Sequence, residues 1–318
     1  MTMAQPSAER RRVSVVIPHA GDDNCLKLCI DSIRRQTFPG ELTSVVIILN
    51  ERDRRDLDFA LLENEEMLWE PAGSSYRSRN CGIKASRDEV IAFTDSDTIP
   101  SSNWLSAGLS ALSAKKADLV AGRIDTVTSV ATRTWPALYE SLFSFDQEKN
   151  VRGGFSATAN LFVTRNAMET YGQFDETAFS GEDFSWTNSS VKAGARLVYA
   201  PHAVVKHPCR ETWSSLLMKA RRTTAPYSRA GQRDGPRRPD FWRRAWFQLT
   251  AAPSLSKKLS LSRSQRLVAR LVRLYLTIYK GVCLLNLSPQ FRRDVETFAK
   301  SVRDVSVTGE ELVPACCT

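Results

Sequence analysis

After a polar arm the chain shows a short run of apolar, mostly β-branched residues, Val13-Ser14-Val15-Val16-Ile17-Pro18. Comparable runs follow at Val45-Val46-Ile47-Ile48-Leu49, Met67-Leu68-Trp69 and Val90-Ile91-Ala92-Phe93. Runs this short and uniformly apolar predict strands buried on both faces, as in a parallel sheet covered by helices. Between the first two, Leu26, Cys29, Ile30 and Ile33 recur at helical spacing and predict a helix over 26–36, stopped by Phe38-Pro39-Gly40. Further helices are expected over 56–64, over 76–86, and from a Ser or Asn cap before Trp104 to about Lys116. A strand over 117–123, a long helical stretch over 126–150, a strand over 161–163, a short helix over 166–171 and a helix over 184–193 come next. Two short strands, 197–199 and 203–205, lead to His207. Strands alternating with helices in this way predict an α/β domain with a mostly parallel sheet.

The pattern changes after His207. From Lys206 to Arg273 there are seventeen Lys and Arg against three acidic residues, and Gly231–Pro239 reads as a hinge. We therefore divide the chain into a flexible N-terminus (1–12), the α/β domain (13–230) and a basic helical C-terminal region (231–318). In the last, Arg263, Arg266, Arg270, Arg273, Thr277 and Lys280 form one helical stripe. Leu267, Val268, Leu271, Leu274, Tyr275, Ile278, Tyr279 and Val282 fill the other side. This pattern fits a helix lying on an anionic membrane, and equally one docked on the domain by its apolar side.

Composition adds three constraints. With 318 residues, 42% of them hydrophobic, the chain can bury a sizeable core. A net charge of +9 suggests an anionic partner: a phosphate-bearing substrate, an acidic membrane surface or nucleic acid. The seven cysteines include no C-x-x-C pair, which fits free thiols in a reducing cytoplasm. No uncharged apolar run is long enough for a transmembrane helix or a signal-peptide core, so a cytoplasmic protein is expected, with peripheral attachment to the inner face of the membrane as the further possibility.

The candidate chemistry begins where the fourth strand ends, in Thr94-Asp95-Ser96-Asp97. In extended chain Asp95 and Asp97 project to one side, and two hard oxygen ligands there suit Mg²⁺ or Mn²⁺. A hydrated turn has the same look. Glu182-Asp183 after Gly181 offers a general base or simply helix-capping acids. Gly153-Gly154 with Asn160 offers a close backbone approach to a ligand or a plain turn. Of the three histidines, His202 lies between the last two strands and His207 just past them; His207 offers a metal ligand beside the aspartates or simply a surface or core histidine. Arg77 and Arg79 at a helix start suit phosphates, carboxylates or solvent.

In order, these pieces resemble family 2 glycosyltransferases. The opening strand with Leu28, Ser32, Ile33 and Gln36-Thr37-Phe38-Pro39 matches that family's start, and Arg79-Asn80-Cys81-Gly82 its Arg-Asn-x-Gly segment. Phe93-Thr94-Asp95-Ser96-Asp97 matches its D-x-D strand end. Gly153-Gly154-x-x-Ala157-x-Ala159-Asn160 resembles its acceptor-side loop, and Gly181-Glu182-Asp183-x-x-Trp186 its Glu-Asp motif. His207-Pro208-x-Arg210-x-x-Trp213 resembles a stretch common in bacterial members. The resemblance covers about residues 13–215.

It implies a GT-A fold, with a Rossmann-like sheet flanked by helices and here a basic helical extension. It implies metal-dependent, inverting transfer of a sugar, hexosyl in type, from a nucleotide-sugar to a hydroxyl acceptor in polysaccharide or glycolipid biosynthesis. Carried over, Asp95, Asp97 and His207 would be the metal ligands for Mn²⁺ or Mg²⁺. Asp183 would be the catalytic base. Pro18, Asn50, Glu51, Arg79, Asp95 and Ser96 would surround the nucleotide. Gly153, Gly154, Asn160, Glu182 and Trp186 would meet a glycan or lipid-linked acceptor. Two departures, His19-Ala20-Gly21-Asp22 and Asn50-Glu51-Arg52, fall at the implied base and ribose pocket. Two other classes fit less well. Nucleic-acid binding by the basic block lacks interleaved aromatics in a module pattern, and a nucleotidyltransferase wants a Gly-rich, basic loop after the first strand.

Overall fold

The structure is a computed structural model that describes residues 12–37, 41–71, 73–128, 134–178, 180–228 and 261–285, with isolated positions between 242 and 253. The expected hinge over 231–239 lies outside the described residues. The predicted runs become β1 (Arg12–His19), β2 (Glu41–Leu49), β3 (Glu65–Trp69) and β4 (Val90–Thr94). They are joined by α1 (Asp23–Arg34) and α2 (Ser75–Ala85). Asp22 caps α1 by accepting from the Asn24 amide, and Ser74 caps α2 by accepting from the Arg77 amide. After β4 come β5 (Ile99–Pro100), α3 (Trp104–Ala114), β6 (Leu119–Val127), α4 (Trp135–Phe143), α5 (Gln147–Arg152) and β7 (Asn160–Thr164). The remainder is α6 (Arg165–Tyr171), α7 (Glu182–Lys192), β8 (Leu197–Pro208), α8 (Trp213–Ser228) and α9 (Arg263–Leu284).

One sheet runs β3-β2-β1-β4-β7-β6-β8-β5. The first four strands are mutually parallel, β7 is antiparallel to both its neighbours, and β6 and β8 are parallel. Two cores cover its faces. Leu26, Ile30, Ile33 and Trp104 pack on one side with Val15, Ile17 and Phe162. Tyr76, Ile83, Phe174 and Trp186 pack on the other with Val16, Ile48 and Phe93. The fully apolar strands of the sequence are thus buried on both faces.

Four local expectations change. Residues 56–64 form a loop, because side chains take up its backbone groups: Arg34 donates to the Ala60 carbonyl, and Glu65 accepts from the Leu62 amide. The helical stretch ends in two helices separated at Ser144–Asp146, where Phe145 has φ +52°. The two short strands merge into β8, whose register against β6 slips between Gly122 and Arg123. Two-residue β5 carries no hydrophobic period and is visible only through its pairing with β8.

Of the two arrangements expected for helix α9, docking by its apolar side is not the one observed. Ala269, Val272, Leu276 and Arg273 are buried against α4 and α8, while much of the predicted apolar face points outward. The Arg273 guanidinium lies 4.3 Å from the Phe143 ring centroid, a contact that lets an arginine line a docked face.

Candidate active site

Asp95 and Asp97 leave the carboxyl end of β4. The Asp95 carbonyl accepts from the Thr98 amide (3.1 Å) and hydroxyl (2.8 Å), turning the chain into β5. There Ile99 lies opposite Lys206 and Pro100 opposite Val205, antiparallel. Continuing that ladder by one residue sets His207 against the Asp-x-Asp turn. His207 Nδ1 lies 2.9 Å from the Pro208 carbonyl oxygen, and its Nε2 lies 3.6 Å from Asp97 Oδ1. A carbonyl only accepts, so in the neutral ring Nδ1 carries the proton and Nε2 turns its lone pair toward the carboxylate. Two electron-pair donors facing each other, too far apart for a hydrogen bond, suit a cation between them. Asp95, Asp97 and His207 each offer a ligand atom within 4.8 Å of the others. Burial pushes the Asp97 carboxyl above its ordinary value, a cost that an added positive charge would relieve.

The histidine is backed by residues from elements distant in sequence. Its ring packs on Phe145, centroids 4.3 Å apart, and the Lys219 ammonium sits 5.2 Å from that same ring's centroid. A left-handed phenylalanine is strained, and persists where its surroundings hold it. Here Lys219 donates to Glu140 Oε1 at 2.9 Å, and Arg210 donates to Glu140 Oε2 at 3.1 Å. Glu140 is completely buried.

Helix α2 joins the Asp95–Asp97–His207 cluster to the predicted base. Arg79 donates to Asp95 Oδ1 at 2.7 Å and to the Ser75 hydroxyl at 3.0 Å. One turn earlier, the Tyr76 hydroxyl donates to Asp183 Oδ1 at 3.3 Å and accepts from the Gly181 amide at 3.0 Å. The Phe184 amide donates to the same Asp183 oxygen at 3.0 Å, so Oδ2 is left without a hydrogen bond among the described residues. Burial raises the Asp183 pKa, with Asp95 adding to the rise, against the opposing pull of Arg79 and the Phe184 amide. Gly181, at φ +85°, makes the left-handed entry into α7. Asn80 clamps the loop before it, accepting from the Phe174 amide (3.1 Å) and donating to the Phe174 carbonyl (2.8 Å) and Glu176 (3.0 Å). Gly82 lets α2 lie against the sheet: a Cβ there would come 2.4 Å from Val16 Cγ1. The Arg-Asn-x-Gly segment therefore has three distinct tasks, in which Arg79 orients Asp95, Asn80 holds the base loop and Gly82 seats the helix.

Pro18, Asn50 and Glu51 lie at the carboxyl ends of β1 and β2, beside the cluster. Asn50 accepts from the Gly73 amide at 3.1 Å. Glu51 accepts from the Gly21 amide (2.9 Å) and from Arg55 (2.9 and 3.0 Å), and Arg55 also grips buried Asp23 at 2.7 and 2.8 Å. Arg55 holds Asp23 well below the usual carboxylate range. His19 Nε2 completes the brace at 2.9 Å from Asp23. The two stretches that depart from the family pattern are thus bonded to each other.

At the expected acceptor side, Gly153 and Gly154 close α5 and rest on α7: Asn188 donates to the Gly154 carbonyl, and Phe155 packs on Phe184 with ring centroids 4.3 Å apart and planes tilted by 54°. Ser96 and Glu182 are partly exposed; Glu182 accepts from the Asp175 amide at 3.0 Å, and burial raises its pKa. Asn160 and Trp186 differ from the expectation of acceptor contacts. Asn160 is buried, accepting from the Trp104 indole (2.9 Å) and donating to the Arg123 and Ala203 carbonyls (2.9 Å each). Trp186 is buried against Phe174, its indole donating to the Gly172 carbonyl at 2.8 Å. Both side chains have their polar atoms committed to the scaffold. His202 is exposed on β8, away from the Asp-x-Asp turn that His207 joins.

Residues 10–225 match the sequence profile of the family described as "Glycosyltransferase like family 2". Glycosyltransferase AglE of Haloferax volcanii is 29% identical over 205 residues, covering 62% of this chain and 67% of that protein. Pre-mycofactocin glycosyltransferase of Mycobacterium tuberculosis is 33% identical over 139 residues, covering 42% of this chain and 30% of that protein, so the chain spans under a third of that relative. Among solved structures, the mannosyltransferase PcManGT of Pyrobaculum calidifontis, in complex with GDP-Man and Mn²⁺, shares the fold at a TM-score of 0.57 and 15% identity, over 89% of this chain and 90% of that one.

Proposed function

The chain belongs to the glycosyltransferase-like family 2, and from that premise we propose that it is a metal-dependent, inverting transferase moving a hexosyl group from a nucleotide-sugar to a hydroxyl acceptor in polysaccharide or glycolipid assembly. The observation that carries this is the double grip of α2, whose Tyr76 and Arg79, one helical turn apart, hold Asp183 and Asp95. A single rigid element thus fixes a general base relative to the metal-ligand cluster.

Asp95, Asp97 and His207 are the residues that would hold the ion. Two carboxylates with an imidazole suit Mn²⁺ better than Mg²⁺, which prefers oxygen ligands alone. The ion, when bound, supplies positive charge to the leaving diphosphate. Every other task falls to the chain. Arg79 keeps Asp95 aimed. The Asp183 Oδ2 takes the proton of the acceptor hydroxyl as that oxygen bonds to the anomeric carbon and the bond from that carbon to the phosphate oxygen breaks. One displacement from the opposite face inverts the anomeric centre. Tyr76 and the Phe184 amide fix Oδ1, so the carboxylate needs no reorganisation as it accepts the proton. Gly153 and Gly154, seated on α7, would face the acceptor together with Glu182. Pro18, Asn50 and Ser96 would line the nucleotide side, with the Glu51–Arg55–Asp23 brace shaping its floor.

A panel of UDP-, GDP- and dTDP-sugars, assayed for release of the nucleoside diphosphate with Mn²⁺ or Mg²⁺ and with chelator, tests the proposal. Release from one nucleotide family, dependent on the ion and yielding a product of inverted anomeric configuration by NMR, is expected. Release unaffected by chelation, or a retained configuration, would refute it.

A further inference from the structure

We infer that the outer face of α9, with the aromatic cleft beside it, is a docking surface for an anionic lipid bilayer. The inner face of the helix is satisfied by protein: Ala269 packs with Leu138 and Leu142 of α4, and Val272 and Leu276 pack with Leu216 and Ala220 of α8. On the outer face, Leu267, Leu271, Leu274, Tyr275, Ile278 and Val282 are 38–59% exposed. Their spacing of three and four residues puts them on one stripe, where a helix facing only water carries polar side chains.

The apolar surface continues onto α8. Tyr275 meets Trp213 edge to face, ring centroids 5.5 Å apart. Trp213 and Trp135 then line an open cleft of about 640 Å³ with Pro136 between them and Glu211 as its acid. Exposed tryptophan and tyrosine beside an aliphatic stripe match the level of lipid headgroups, where an amphipathic ring has an apolar and a wet side.

Charge selects the occupant. Neither α8 nor α9 contains an acidic residue, and Arg263, Arg266 and Arg270 flank the stripe along α9. Arginines placed so can lay their stems on the apolar band and carry the charge to headgroup phosphates. A second copy of the chain is a poorer occupant, because a symmetric contact would set these arginine rows against each other on a chain of net charge +9. No described helix is long and apolar enough to cross a bilayer, so the contact is one lying in the interface plane. Helix α9 reaches the Glu140-bearing α4 directly, and Glu140 reaches His207 through Lys219 and Phe145. Docking would therefore hold the metal-ligand cluster within a few side chains of the membrane surface.

Flotation of the full chain with vesicles of phosphatidylcholine, with or without phosphatidylglycerol, tests the inference. Both L271E and I278E are exposed changes, so the double variant should fold, which a circular-dichroism melt verifies. The wild type is expected to float with the phosphatidylglycerol vesicles and to be released by salt. The double variant should partition about a hundredfold more weakly, from the loss of two buried aliphatic side chains. Equal flotation of a folded variant and the wild type, wild-type binding indifferent to phosphatidylglycerol, or no flotation at all would overturn it. So would a lipid-free dimer that the double variant dissociates without any vesicle binding, which would assign the face to self-association.

Discussion

Replacing Glu140 with glutamine keeps the side chain's shape and removes one charge from the bracket behind His207. Glu140 is fully buried; its Oε1 accepts from Lys219 (2.9 Å) and Ser144 (2.7 Å), and its Oε2 from Arg210 (3.1 Å). Burial alone would raise its pKa, but Lys219 and Arg210 outweigh burial and hold it at about 2 against an ordinary 4.5. That difference is worth about 3 kcal/mol. Because the folded value is depressed, the contribution is complete above pH 4.5 and fades as the pH falls toward 2. Lys219 gains less from the pairing, since burial lowers its own pKa and Arg210 repels it. Removing the charge therefore strands two cations, for a loss of about 3–5 kcal/mol. Thermal melting at neutral pH should fall by about 6–10 °C at roughly 2 °C per kcal/mol. The double variant E140Q/K219M should recover part of this, because it removes one stranded charge. Below about pH 2 the wild type and E140Q should converge. A shift under about 1 kcal/mol, or a double variant as unstable as the sum of the singles, would refute charge pairing as the source of this stability.

Three further outcomes follow from the site. Burial raises the Asp183 pKa, and a base acts when deprotonated, so the acid limb of kcat/KM should lie above the ordinary carboxylate value near 4 and move when Tyr76→Phe removes a bond to it; a limb at or below the ordinary value contradicts the assignment. His207→Ala should raise the Mn²⁺ concentration for half-maximal activity by about tenfold or more, read by metal titration, with little change in melting temperature. Gly82→Ala should cost about 1–3 kcal/mol on denaturant unfolding and lower activity as well, because the added methyl pushes α2, and with it Tyr76 and Arg79, away from Val16 and Ile48.

The strands and the carboxylates of the candidate site were legible because their signals are local. Val13–Ile17, Val45–Leu49 and Val90–Phe93 are short apolar runs, and Asp95, Asp97 and Asp183 sit in fixed short motifs at element ends. What was hidden depends on pairings distant in sequence. His207 was expected beside the aspartates, but the route that brings it to Asp97 was not: it runs through β5, two residues long and without a period of its own. Phe145 adopts a left-handed conformation that its residue type does not advertise, and the Glu140–Arg210–Lys219 bracket spans α4, the end of β8 and α8. Asn160 and Trp186 show the opposite error: motif positions suggested substrate contacts, whereas hydrogen bonds to Trp104, Arg123, Ala203 and Gly172 make them scaffold. Which face of α9 docks was concealed because an arginine stripe and an apolar stripe are equally compatible with either side facing inward until Arg273 is seen over Phe143.

The central claim is a division of labour, with Asp95, Asp97 and His207 on the leaving group's side and the proton assigned to Asp183. Asp183→Asn separates the two, since asparagine keeps the bonds to Tyr76 or the Phe184 amide within reach but cannot take a proton. Measured together, donor affinity by calorimetry in the presence of Mn²⁺ should remain within a few-fold of wild type, while transfer should fall by about 10²–10⁴. Near-wild-type turnover in the folded variant would contradict the account.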